Sequence, residues 1–481
     1  IRFKPAMDSL HKMEESEHKT VRQLDGFYRS ILNPLIDSKL VGNAFLLSLF
    51  AIFFLCCSLF YFNAVKVKMM PLDNKGVFNV VINFPAGTSL PVTANLTRQF
   101  AEEVRKISEV TAIQSYVGTA SPYDFNGLVR HYYLRQQPWQ ADLNVQLLHK
   151  KERKRSSHEI ALEVRKTLTT LVAQKVKEGV YTELSKPKFQ IVEMPPGPPV
   201  LQTMVAEVYG PTAHERHAVA MKLTELFEQA GGITDVDNYI QKPYKIWNFR
   251  VDREKAIRSG VSVDAINKAL EMAMGGFVLG DIKDGSILES TMIVLQVPLD
   301  VRANFNYLSQ LPVPTMQGSS VPLAELGVFT KSHKDPIIFH KDLRDVEYVI
   351  GEVTGELAAP IYGIFEVDDM LKLEENFGPR KEQLVGTLMG PPDPGDMHNF
   401  SGFEWGGEWT VTYETFRDMG LAFGVAIILI YMLVVWEFGN FRLPAVIISP
   451  IPLTLVGILP GHAIIGAEFT ATSMIGFIAL A

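Results

Sequence analysis

Chemistry in this chain concentrates in Tyr116–Trp139, which reads YVGTASPYDFNGLVRHYYLRQQPW. Aromatic rings crowd a segment that Gly118, Pro122 and Gly127 keep from regular structure. Aromatic faces on an irregular loop can hold varied apolar molecules without a fixed hydrogen-bond geometry. The plain alternative is a strand over Arg130–Arg135 whose alternate aromatics face a core, since burial in a strand has a period of two. Other reactive residues carry less. His214 and His217 in His-Glu-Arg-His lack the spacing of a zinc-protease pair, and a surface helix is expected there. Cys56 and Cys57 are the only cysteines; adjacent on a helix they point apart, so neither a disulfide framework nor a zinc site is expected. The 17 methionines raise soft-metal export, copper or silver, but they are dispersed and suit packing. The basic run Lys150–Arg155 reads as a solvated approach to a helix. No Gly-x-Ser-x-Gly, HExxH or P-loop pattern occurs, so neither an enzyme nor a cofactor is expected.

The elements that must position these residues begin with Val41–Phe62. It contains no Asp, Glu, Lys, Arg or His, and thirteen of its residues are Val, Leu, Ile or Phe. At about −0.3 to −0.6 kcal/mol each, these outweigh Asn43 and the two serines. The absence of a polar stripe separates it from a buried helix of a water-soluble protein and makes it a transmembrane helix. Met419–Trp436 is a second apolar run, Leu443–Ile465 a third that carries four prolines, and Phe469–Ala481 the start of a fourth. The chain is read as a fragment. With 47% hydrophobic and 21% charged residues it is part membrane and part water-exposed. A net charge of −7 offers no basic excess for phosphate backbones, so no nucleic-acid partner is expected. Arg22, Arg29 and Lys39 precede the first span and orient it from inside to outside. Thr20–Leu35 carries an apolar side at helical spacing, for the inner membrane surface or for packing on protein.

Between the spans the pattern repeats. Strands are expected at Val77–Phe84, Val110–Val117, Asp142–Leu148 and Lys188–Glu193, with helices at Leu90–Ile107 and Ser157–Val176, which is the order of a split βαβ sandwich. Met194–Pro199 reads as a linker. A second unit opens with strand Met204–Tyr209, helix Ala213–Ala230, strand Ile233–Ile240 and a hairpin about Lys242-Pro243 into Lys245–Val251. It is interrupted by Asp252–Val328, with a helix at Val263–Met274 and a strand at Met292–Pro298, and resumes at Glu347–Thr354. Few elements can be placed between Val367 and Phe400.

This order of parts resembles half of a resistance–nodulation–division (RND) efflux transporter. The likeness is carried by Asp252–Ser262 with Asp264-Ala-Ile-Asn267, by Gly439-Asn-Phe-Arg-Leu-Pro444 with Ile451-Pro452-Leu453, and by Phe469-Thr470 with Ser473–Ile478. It implies a membrane helical bundle plus an α+β region, with two split, ferredoxin-like porter subdomains and an inserted docking subdomain. The implied layout is a cytoplasmic linker at 1–40, spans at 41–62, 418–437 and 443–465, and a partial span at 469–481. The first porter subdomain is 63–194, the second is 195–251 with 335–417, and the docking subdomain is 252–334. By the same likeness, Tyr116, Tyr123, Phe125, Tyr132 and Tyr133 face substrate. The implied protein is a homotrimer in the bacterial inner membrane with a large periplasmic region. Its implied partners are a membrane fusion (periplasmic adaptor) protein and an outer-membrane channel. Its implied work is proton-driven export of hydrophobic or amphiphilic compounds, multidrug resistance included. The paired aspartates of the family's fourth span fall outside this chain. Heavy-metal export is the alternative within transport, and a membrane receptor the alternative outside it. The topology predicts that Gly197→Cys, in intact cells, reacts with a membrane-impermeant maleimide from outside; labelling only after lysis contradicts it.

Overall fold

The computed structural model of the chain describes residues 28–30, 32–69, 73–182, 185–193, 200–283, 285, 290–354, 359–373 and 402–480. Most of Thr20–Leu35, the linker Met194–Pro199 and residues 374–401 lie outside the described residues. Among the described residues, three helices are long and apolar enough to cross a bilayer: Lys39–Tyr61, Glu408–Phe438 and Arg442–Ile465. The first of them, α1 (Lys39–Tyr61), starts at an N-cap, where Ser38 Oγ accepts from Val41 N–H at 3.4 Å. Cys56 and Cys57 on it are free thiols, and Cys56 Sγ donates to Val456 O at 3.8 Å.

The next elements are β1 (Val77–Asn83), α2 (Leu90–Val104), β2 (Val110–Val117), α3 (Phe125–Val129), β3 (Gln140–Leu147), α4 (Ser157–Lys177) and β4 (Lys188–Glu193). The strands form one antiparallel sheet in the order β2-β3-β1-β4. Alternation along β1 decides which side is core. Phe78, Val80 and Ile82 join Leu96 and Phe100 of α2 and Ile160, Val164 and Leu168 of α4, whereas Val81 belongs to a separate buried group with Tyr132 and Val192. A capping box at Ser156 and Glu159 fixes the start of α4. The expected solvated basic run is in part structural. Arg153 is buried and donates to the carbonyls of Leu148, Lys75 and Arg155, and Arg155 is paired with Glu109 and Glu163.

A second repeat consists of β5 (Met204–Tyr209), α5 (Ala213–Gln229), β6 (Ile233–Asn238), β7 (Arg344–Val353), α6 (Pro360–Leu373) and β8 (Gly402–Gly407). Its order, β6-β7-β5-β8, is that of the first repeat, again antiparallel. Strand Phe339–Lys341 shares the β7 edge with β6. Phe227 stacks on Trp405 at 5.9 Å between ring centres, within a core that includes Met204, Leu223, Ile364 and Val367. Helix α6 lies where few elements could be placed from sequence.

Residues Gln241–Ile337, between β6 and β7 in the chain, form a compact unit of their own. The hairpin expected about Lys242-Pro243 does not form, because Lys245–Val251 pairs with Gly327–His333 inside this unit. Helix Val263–Gly275 and a hairpin of Phe277–Ile282 with Thr291–Leu295 complete its larger elements. Its core gathers Ala256, Val261, Ile266, Val313, Leu323 and Leu326.

Strand β8 runs straight into α7 (Glu408–Phe438), so this helix starts at Glu408 and not at 418. The third apolar run is broken into α8 (Arg442–Ile448), a 3-10 turn at Pro452–Thr454 and α9 (Leu455–Ile465), as Pro450 and Pro452 require. After α9 comes α10 (Ala471–Leu480). Val65, Leu459 and Phe469 pack together where α1 meets α9. Lys68 N–H donates to Phe469 O at 3.0 Å and Phe469 N–H to Lys66 O at 2.8 Å, so the strand-like exit from α1 is stitched to the entry of α10.

Asp368 on α6 gives the second repeat a pH signature. Desolvation pushes its carboxyl up to about 6, with Lys372 and the Trp405 indole pulling back in part. The unfolded chain binds that proton near 3.9. The stability from this group is therefore full below about pH 4 and is lost as pH rises through about 6. Asp368→Asn is expected to melt at a higher temperature than wild type at pH 8, and to match it at pH 4, in thermal unfolding of the detergent-solubilised protein.

Candidate functional site

The connection from β2 to β3 holds the aromatic stretch. It is not a strand: α3 is followed by a 3-10 turn at Tyr132–Leu134, and His131 between them has a left-handed backbone with φ +56°. That conformation is uncommon for any residue with a Cβ, so tertiary bonds must hold it. Asp124 is the first anchor. Its Oδ1 accepts from Gly127 N–H at 2.5 Å and its Oδ2 from Asn79 Nδ2 on β1 at 2.9 Å. Arg135 is the second. Its guanidinium donates to Asp142 at 2.8 Å, to Asn83 at 2.7 Å, and to the carbonyls of Ile82 and Ala141 at 2.9 and 3.1 Å. Burial raises the Asp142 carboxyl and Arg135 opposes that rise.

A third anchor crosses to the second repeat. Arg130 Nη2 reaches Glu352 Oε1 on β7 at 3.2 Å and Nη1 donates to Gln202 Oε1, while Glu352 Oε2 accepts from Thr203 Oγ1. Further along the same junction, Arg165 of α4 grips Asp235 of β6 through two bonds of 2.9 and 2.7 Å, and Asp235 also accepts from Ile191 N–H at 2.9 Å. Lys188 pairs with Asp237 at 2.8 Å.

The five expected substrate-facing residues separate under this geometry. Tyr123 is 73% exposed and Phe125 45% exposed. Tyr133 is half-buried, with its ring 6.2 Å from that of Tyr123 and 5.8 Å from that of His131. Tyr123, His131 and Tyr133 thus share one surface. Tyr132 is elsewhere: it is buried with Val81 and Val192, and Arg135 lies 5.7 Å from its ring centre. Tyr116 stands on β2, its hydroxyl donating to Gln114 at 3.1 Å. The sequence reading left out Arg130, Arg135, Arg165, Asp235 and Glu352. The one local signal was the pair of arginines bracketing the aromatics at 130 and 135; partners such as Glu352, 222 positions from Arg130, have none.

His217 pairs with Glu347 at 3.1 Å, and His214 is exposed. Among the described residues, no group of three or more His, Cys, Asp or Glu side chains is arranged to hold a metal ion.

Comparison with known proteins places this architecture. A profile of the AcrB/AcrD/AcrF family matches residues 5–360 and 396–481. The chain belongs to this family, the RND permeases, which are transporters and not enzymes. The nickel and cobalt resistance protein CnrA of Cupriavidus metallidurans is 25% identical over 286 residues, covering 58% of this chain and 24% of that protein. The swarming motility protein SwrC of Bacillus subtilis is 20% identical over 479 residues, covering 97% of this chain and 39% of that protein. The crystal structure of a heavy metal efflux pump shares the fold, with a TM-score of 0.65 and 18% identity, over 96% of this chain and 44% of that one. The chain thus spans between a quarter and a half of the proteins it matches.

The anchors and the exposed rings should respond differently to truncation. Arg135→Ala leaves Asp142 buried without its cation and is expected to cost about 3–5 kcal/mol. Tyr123→Ala is expected to change stability by less than about 0.5 kcal/mol. Melting temperatures of the two variants check this directly.

Proposed function

We propose that this chain is the C-terminal part of an RND efflux permease whose cargo is a divalent heavy-metal cation. The observation that carries the cargo class is the set of relatives: CnrA, and a cobalt-zinc-cadmium resistance protein of the same organism that is 21% identical over 286 residues. This replaces hydrophobic compounds as the leading cargo, and it widens the copper or silver alternative to the borderline cations nickel, cobalt, zinc and cadmium. Imidazole is a suitable ligand for nickel and zinc among these. His217 with Glu347 and His340 with Asp345, at 3.1 and 2.8 Å, are imidazole–carboxylate pairs.

On this reading α1 and α7 bracket a periplasmic region of two porter subdomains, 63–194 and 195–251 with 335–417, and a docking subdomain at 252–334. The whole protein works as an inner-membrane homotrimer with a membrane fusion protein and an outer-membrane channel. Proton entry through carboxylates outside this chain supplies the energy, roughly 2.3 kcal/mol per charge across 100 mV. A second reading keeps amphiphilic organic cargo. It is supported by the exposed rings of Tyr123 and Phe125 on the β2–β3 connection. The complete gene, expressed in a strain without other RND pumps, is expected to raise tolerance to at least one of nickel, cobalt, zinc or cadmium several-fold. An uncoupler should abolish that tolerance. Tolerance to dyes with none to metals would select the second reading, and neither would defeat both.

A further inference from the structure

We infer that Glu352 is a positioning residue for the aromatic β2–β3 connection, acting on it from the other repeat through Arg130. The two ends of that connection are fastened within the first repeat, by Asp124 to Asn79 and by Arg135 to Asp142. Its middle is fastened to the second repeat. The side chains of Arg130 and Glu352 are 6% and 15% exposed at a separation of 3.2 Å, and Arg130 is followed at once by His131, the residue with φ +56°, and then by the Tyr132–Leu134 turn. A left-handed residue has little local preference for its own conformation, so a neighbouring tertiary bond decides whether it persists. Arg130–Glu352 is that bond.

The joint is not saturated. Arg130 Nε and Gln202 Nε2 are buried with no partner among the described residues. A fully satisfied buried network rigidifies its surroundings, and this one is not fully satisfied. The Arg165–Asp235 and Lys188–Asp237 bridges hold the repeats together independently, through α4 and β4 to β6. Losing Glu352 should therefore free the connection and leave the repeats docked. The functional meaning rests on the second reading of the cargo, in which the rings of Tyr123, His131 and Tyr133 face it: a change in the spacing of the repeats would then be felt at those rings.

Hydrogen-exchange mass spectrometry on the full-length protein in detergent tests the positioning without reference to transport. Glu352→Ala removes both acceptors; Glu352→Gln keeps one oxygen and is the conservative variant. In Glu352→Ala, peptides covering Asp124–Gln137 are expected to exchange at least about fivefold faster than wild type, with peptides of α4 unchanged, and Glu352→Gln should recover part of the protection. Lys188→Met, which breaks an inter-repeat bridge away from the connection, should leave Asp124–Gln137 as in wild type. Loop exchange within about twofold of wild type in both Glu352 variants overturns the inference, as does equal acceleration in α4. Should Glu352→Ala not accumulate as folded protein, Glu352→Gln decides by the same twofold line. Faster loop exchange with unaltered export would uphold the positioning and count against the cargo-facing reading of the loop.

Discussion

Gly407 is where an extramembrane sheet becomes a membrane-length helix, with no loop to absorb movement between them. Its φ of +75° is open to glycine and rarely to other residues, and a Cβ there would lie 2.5 Å from Gln202 O. The next residue, Glu408, donates its N–H to Thr203 O at 3.2 Å, and Thr203 is also the donor to Glu352. The entry to β5, the start of α7 and the Arg130 joint therefore meet within a few residues. On the other side, the exit from α1 is bonded by main chain to the entry of α10. Backbone bonds of this kind cannot stretch far before they are lost, so displacement of a helix end must be passed on to the sheet or break the junction.

The two repeats share one strand order and differ most in the connection between their second and third strands. Between the second and third strands the first repeat carries the aromatic segment and the second carries the whole Gln241–Ile337 unit. The connections on either side of α2 and of α5 are short, and each helix covers the sheet face that is filled by Phe100 and Leu168 in one repeat and by Phe227 and Ile364 in the other. The hairpin side between strands two and three is free of that constraint. It is a position in this topology where added residues leave the core unchanged.

Periodicity made most of the fold legible. The alternation of Phe78, Val80 and Ile82, the Ser156–Glu159 cap and the unbroken apolar run of α1 are local signals with local causes. The failures have equally definite causes. The aromatics between Arg130 and Arg135 suggest a strand, yet Gly127, the Asp124 turn and the left-handed His131 coil the segment, with Tyr132 buried and Tyr133 sharing the surface of Tyr123. A hairpin after β6 was expected from sequence proximity, but Lys245–Val251 takes a partner over seventy residues on. The anchoring arginines look like solvated charges until their carboxylates arrive from distant strands. Density of aromatic residues marked the right connection without distinguishing ligands from wedges.

The ionic character of the joint between the repeats needs its own explanation. Buried ion pairs are often no more stabilising than apolar residues of the same volume, because desolvation consumes the Coulomb gain. A static interface would do as well with leucines. Three bridges, Arg130–Glu352, Arg165–Asp235 and Lys188–Asp237, instead align along one junction with graded burial. Charged pairs lose their attraction gradually with distance and can trade partners, while close-packed apolar contacts fail within about an ångström. That difference in range lets an ionic joint tolerate small changes in the spacing of the two sandwiches that a close-packed apolar one would not. Of the two arginines at this junction, Arg130, which leads into the His131–Tyr133 rings, has a buried Nε with no partner among the described residues.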